Sequence, residues 1–256
     1  MPRNSWTRQE TLIALNLYCR TPFGRLHANN PEIQNIATRM GRTPSALAMK
    51  CCNLASLDSS LQARGIAGLT KTSLLDRQVW GEFLHDPESI VLEAEQLHAE
   101  LMQQPLRVAD AITWEHIEGT DVETLTKVRV NQHFFRSLVV TGYRSRCAVC
   151  GLPFSSLLVA SHIVPWSKDR TLRMNPRNGL CLCALHDRAF DKGLLTIDAD
   201  YLIDIHADIK QAPKTDAIEA NFLRFVGQTI LLPDRWLPDP ELLLRHNALT
   251  REVTEQ

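Results

Sequence analysis

The chain of 256 residues carries 28 Lys and Arg against 29 Asp and Glu, a formal charge of -1. That length suffices for two modest domains. The absence of any run of about 18 apolar residues, together with an opening MPRNSWTRQE that lacks the apolar stretch of a secretory signal, leads us to expect a cytoplasmic protein with no membrane partner. Seven cysteines then read as thiols or metal ligands and not as a disulfide framework.

The near-zero charge hides a division. Residues 1 to 81 hold 10 basic and 4 acidic side chains, 82 to 126 hold 1 and 11, 127 to 192 hold 11 and 3, and 193 to 256 hold 6 and 11. Nucleic acid is a polyanion bound largely through phosphate neutralisation, so segregated basic blocks matter more than the total; chance clustering on solvated faces is the plain alternative.

Three helices are expected in the first basic block. Trp6, Leu12, Leu15 and Leu17 give a stripe that stops before Pro22-Phe23-Gly24, Asn30-Pro31 opens a second helix ending at Gly41, and Thr43-Pro44 opens a third through SALAMKCCNLAS. Two short helices about a Gly-containing turn outline a helix-turn-helix. The residues Trp6, Ile36-Ala37, Gly41 to Ala46 and Lys50 resemble Myb-like trihelical units, which would place Arg42, Ser45 and Lys50 near DNA; a helical packing module is the alternative. Cys51 and Cys52 read as small core residues.

Residues 65 to 72 look like a connector, giving domains at 1–72, an acidic helical linker at 73–126 and a third segment at 127–256. In the linker, Ile90, Ala94, Leu97 and Leu101 form one apolar seam, with Glu93, Glu95 and Glu100 on other faces. Residues 105 to 121 give no clear signal. The segment RVNQHFFRSLVVTGYRSR predicts a helix with Phe134, Phe135, Leu138 and Val139 inward and Arg129 and Arg136 able to reach phosphates.

The chemistry concentrates between Cys147 and Lys192. Cys147-x-x-Cys150 followed by Gly151 has the form of a zinc knuckle, and Cys181 and Cys183, alternating on a strand, are the obvious second pair, with a nearby histidine able to replace one of them. Leu157 to Ile163 predicts a strand ending in His162, Gly179 to Cys183 a second strand, and Ala184 to Asp191 a helix stopped by Gly193. The segment LLTIDADYLIDI alternates like a further strand pair.

His162, Asn178 and His186, spaced by sixteen and eight positions, resemble the HNH nucleases, whose core is a ββα-metal finger. The fold class expected is therefore α+β: an N-terminal helical DNA-binding domain plus a C-terminal HNH nuclease domain. The resemblance implies that His162 is the general base, that Asn178 orients its loop, and that His186 binds a catalytic Mg²⁺ or Mn²⁺. Where many members carry Asp or His before the base this chain has Ser161, so Asp187 and Asp191 are expected to complete that ion's shell beside a structural Zn²⁺ at the cysteines. Arg170, Arg173, Arg177 and Arg188 could clamp phosphates. The resemblance implies double-stranded DNA as partner, cut in a restriction-type role, with modified bases as the mark in enzymes of similar layout and a homodimer for double-strand cleavage. A non-catalytic zinc-finger protein and a signal-activated effector nuclease are the competing readings. The tail beyond residue 217 is expected to pack on the finger.

Overall fold

The computed structural model describes residues 5–62, 72–109 and 122–254, so most of the expected connector at 65–72 lies outside the described residues. The chain divides into two compact units, 1–138 and 139–256.

The first unit is helical: α1 (Arg8–Arg20), α2 (Pro31–Arg39), α3 (Pro44–Ala55), the short α4 (Ser59–Gln62), α5 (Leu74–His85), α6 (Pro87–Met102) and most of α7 (Val122–Gly142). Each start is marked by a cap. Thr7 and Glu10 form a capping box on α1, Asn30 and Thr43 cap α2 and α3 just before their prolines, and Ser73 and Asp76 form a second capping box on α5. Helix α1 is buried from Thr11 through Cys19 because α3, α5 and α6 all pack on it. The acidic segment is thus no linker: α5 and α6 help to enclose the core of the first unit.

The buried face of α6 is also turned from the expected seam. It consists of Ile90, Val91, Ala94, Glu95 and His98. Glu95 enters the core because Asn16 Nδ2 donates to its carboxylate at 2.8 Å, while Arg20 Nε donates to Asn16 Oδ1 at 2.8 Å. Glu93, half-buried, takes the Arg8 guanidinium.

In the second unit, β1 (Leu158–His162) and β2 (Gly179–Cys183) pair antiparallel, with His162 opposite Gly179 and Leu158 opposite Cys183. Helix α8 (Ala184–Asp191) follows at once, with Cys183 as its N-cap residue. A second hairpin, β3 (Leu195–Ile197) and β4 (Ile203–Ile205), is followed by α9 (Ala207–Gln211), α10 (Asp216–Asn221) and α11 (Pro240–Thr254). The last turn of α7, from buried Val139 to Gly142, belongs to this unit.

The inner face of α11 is Leu243, His246, Asn247 and Thr250, the i, i+3, i+4, i+7 spacing of one helix face. Asn247 donates to Ile197 O at 2.9 Å, and Thr250 lies against Gly193. Gly193 has φ +67, and a Cβ there would meet the Thr250 Cβ at 2.8 Å, so glycine is required both by conformation and by space. As expected from the sequence, the tail packs on the finger. No helix among the described residues is long and apolar enough to cross a membrane.

Candidate metal centre and active site

Four ligand atoms converge beside the β1–β2 hairpin. Cys147, Cys150, Cys183 and His186 place one sulfur or nitrogen each within 4.8 Å of one another. His186 Nδ1 is 3.2 Å from Cys183 Sγ and 3.5 Å from Cys147 Sγ, and Cys150 Sγ is 4.0 Å from Cys183 Sγ. A tetrahedral zinc ion with metal–sulfur bonds near 2.3 Å needs ligand–ligand separations of about 3.8 Å, and the four atoms lie close enough together to take one such ion with small adjustments. The His186 Nε2–H donates to Asn221 O at 2.8 Å, which directs the Nδ1 lone pair at the cluster. Hydrogen bonding from Cys150 and the neighbouring His186 hold the Cys147 thiol far below the ordinary range despite burial, and Cys147 together with the Asn221 carbonyl raises His186 against its own burial.

Two expectations change here. Cys181 is not in the cluster: it is fully buried inside the hairpin, opposite Ala160, and its carbonyl accepts from Ala148 N at 2.6 Å. His186 takes the fourth place, and with both ring nitrogens engaged it does not join Asp187 and Asp191 around a second ion. The repeated two-residue spacing, Cys147-x-x-Cys150 and Cys183-x-x-His186, was the available signal.

His162 closes β1 on the other part of the finger. Its Nε2 lies 3.0 Å from Arg173 O, an atom that only accepts, so Nε2 carries the hydrogen and Nδ1 the lone pair of the neutral ring. Trp166 meets the ring edge to face at 5.4 Å. Burial pushes His162 down to about 4, with the Arg173 charge acting in the same sense against the hydrogen bond to its carbonyl, so the ring is neutral at pH 7.

Asn178 is fully buried and touches only protein. Its Oδ1 accepts from Val164 N at 2.8 Å, and its Nδ2 donates to Val164 O at 3.0 Å and to Leu172 O at 3.3 Å. It therefore pins both ends of the loop between His162 and the Arg173 carbonyl that orients it, a positioning role and not a reacting one.

Ser161 Oγ is buried without a hydrogen-bond partner. It lies near enough to Asp187 to draw that carboxyl down, but burial and the charge of exposed Asp191 prevail and push Asp187 up to about 6. Ser161 Oγ and the Asp187 carboxylate thus stand side by side as hard oxygen donors, the kind that Mg²⁺ and Mn²⁺ prefer.

The expected DNA contacts divide. Arg170, Arg177 and Arg188 are exposed, with Arg177 also 3.3 Å from Asp239. Arg173 is half-buried, donating to Trp166 O and lying over the Trp166 ring. Arg129 and Arg136 on α7 are half-buried. In the first unit Ser45 is exposed, but Arg42 and Lys50 are consumed internally. Arg42 makes two 2.8 Å bonds to Glu10, and Lys50, only 3% exposed, is paired with fully buried Asp76. Both cations also sit over the Trp6 ring. Neither can serve the phosphate contacts expected of it.

No curated protein matches the chain. Residues 147–198 match the family model described as HNH endonuclease, a span that runs from the zinc knuckle through β1, β2, α8 and β3. This segment, which holds His162, Asn178, His186 and Asp187, is similar to an HNH endonuclease domain, and the match points to a nuclease acting on nucleic acid.

Proposed function

We propose that the chain is a metal-dependent DNA endonuclease in which His162 is the general base. The observation that carries this reading is the state of His162: a neutral imidazole whose Nε2–H is fixed on Arg173 O, within the HNH segment, beside a loop locked by Asn178. A neutral imidazole can take a proton from water, the step phosphodiester hydrolysis requires of a base. Ser161 and Asp187 would hold the divalent cation, which supplies charge neutralisation at phosphorus and at the leaving oxygen. Arg170 and Arg188 grip flanking phosphates. Cys147, Cys150, Cys183 and His186 hold zinc as a four-ligand structural site that leaves no open position for chemistry.

The test is conversion of supercoiled plasmid by purified protein with Mg²⁺ or Mn²⁺, using unmodified and base-modified DNA side by side. Cleavage lost in His162→Ala supports the reading. Intact plasmid under every condition contradicts it and favours a zinc-stabilised DNA-binding protein without catalysis. The restriction-type role rests on the union of a helical unit with the nuclease domain, and it expects faster cutting of one of the two DNA forms. Since one finger cuts one strand, double-strand breaks require two copies of the chain or two successive nicks.

A further inference from the structure

The helix α11 lies beyond the segment matched by the HNH family, yet one of its side chains reaches the heart of the finger. His246 is 3% exposed. Its Nδ1 is 2.8 Å from Ile163 O and its Nε2 is 3.1 Å from Phe190 O, while its ring lies flat on that of Phe190 at 3.8 Å and 3°. Both oxygens belong to backbone that matters for the site. Ile163 follows His162 directly, and Phe190 lies in the last turn of α8, the helix that carries Asp187.

We infer that His246 is a positioning residue for the hydrolytic site, fixing the backbone after His162 relative to the helix that presents Asp187. Ile163 is held from two sides: its N–H donates to Asn178 O at 2.9 Å, and its carbonyl meets His246. Asn178 thus secures the base from the loop, and His246 secures it from α11. On the other ring edge, Phe190 O already accepts from Gly193 N at 2.9 Å at the C-terminus of α8, and His246 Nε2 approaches its second lone pair. A neutral ring, which burial favours, donates to one of the two carbonyls and holds the other segment by packing alone, whereas a protonated ring donates to both. The stack on Phe190 sets the ring plane and leaves the two nitrogens aimed at the two oxygens. An apolar side chain of this volume could fill the space, but it could donate to neither carbonyl.

This inference rests on the nuclease reading, and its test separates the two. His246→Phe keeps the stacked ring and removes both polar contacts. Asn247→Ala, one residue further along the same face, removes only the bond to Ile197 O and serves as the structural control. For His246→Phe we expect kcat for plasmid cleavage to fall about 10- to 100-fold with KM for DNA within twofold, the pattern of misplaced reacting groups and not of lost binding. Asn247→Ala should keep kcat. In parallel, the imidazole ¹⁵N shifts of His162 should move in His246→Phe, reporting a changed balance of its Nε2–H and Nδ1–H forms, and should stay unchanged in Asn247→Ala. If His246→Phe does not fold, His246→Gln carries the same readouts. Wild-type kcat together with unshifted His162 nitrogens in a folded variant would overturn the inference. If the wild type itself cuts no DNA, the nuclease reading fails, and the His162 shifts alone decide whether His246 positions that ring.

Discussion

Two histidines 24 positions apart in the same finger, His162 and His186, sit in opposite surroundings. The His186 cluster is closed: three sulfurs and one nitrogen face one another, and the remaining ring nitrogen is satisfied by Asn221 O. The His162 site is built differently: Arg173 O fixes one ring nitrogen, and nearby Asp187 is pushed up to about 6 by burial and the charge of Asp191. Saturated polar groups describe a structural site. We propose that the two histidines have different tasks, His186 in a structural cluster and His162 in hydrolysis.

The sharpest way to break that comparison is at the cluster. Cys183→Ser should lose the bound zinc and unfold the second unit, since metal affinity of this kind is folding free energy on the order of 10 kcal/mol. Cys181→Ser should keep one zinc per chain and cost only about 1 kcal/mol as a core change. Metal analysis with thermal unfolding distinguishes them, and zinc lost from Cys181→Ser but kept in Cys183→Ser would reverse the assignment.

Smaller effects sharpen the roles of the buried polar groups. Lys50→Met leaves Asp76 buried without its cation and should destabilise the first unit by about 3–5 kcal/mol in denaturant unfolding. Asn178→Ala removes three hydrogen bonds to the loop and should cost about 2–4 kcal/mol while slowing cleavage. A stability loss with full activity would deny Asn178 its positioning role.

The smallest effect is a pH dependence in the first unit. Burial, with the Arg20 charge acting in the same sense, pushes His98 down to about 4. A histidine whose folded value is depressed stabilises fully above its unfolded value, near 6.5, and loses that contribution as pH falls towards about 4. Glu95, pushed up by burial, acts in the opposite sense. Unfolding of wild type and His98→Gln between pH 7 and pH 4 should therefore show a steeper acid loss in the wild type; parallel curves would remove His98 from the account.

The finger was legible in the sequence because its signals are local. The apolar run before His162, the polar loop and the glycine after the short helix each act within a few residues, and β1, β2 and α8 form where those signals place them. The zinc set was half legible. Alternation along β2 groups Cys181 with Cys183, but Cys183, the last residue of the strand, is also the N-cap of α8 and so lies beside His186 one turn on, whereas Cys181 stays buried in the hairpin. The charge reading failed in the first unit for a different reason. Glu10 and Asp76 are the capping-box carboxylates of α1 and α5, and the same two side chains also take Arg42 and Lys50, 32 and 26 positions away, partners that a linear sequence does not show. His246 was invisible for the same cause, since its two oxygens are 83 and 56 positions away.

The division of labour between the two histidines is tested most directly by the single-turnover rate of plasmid cleavage in His162→Ala, prepared with one zinc per chain and the wild-type unfolding temperature. Loss of a general base should lower that rate about 10²- to 10⁴-fold while the zinc stays bound. Cleavage by this folded, zinc-loaded variant at the wild-type rate would contradict the account.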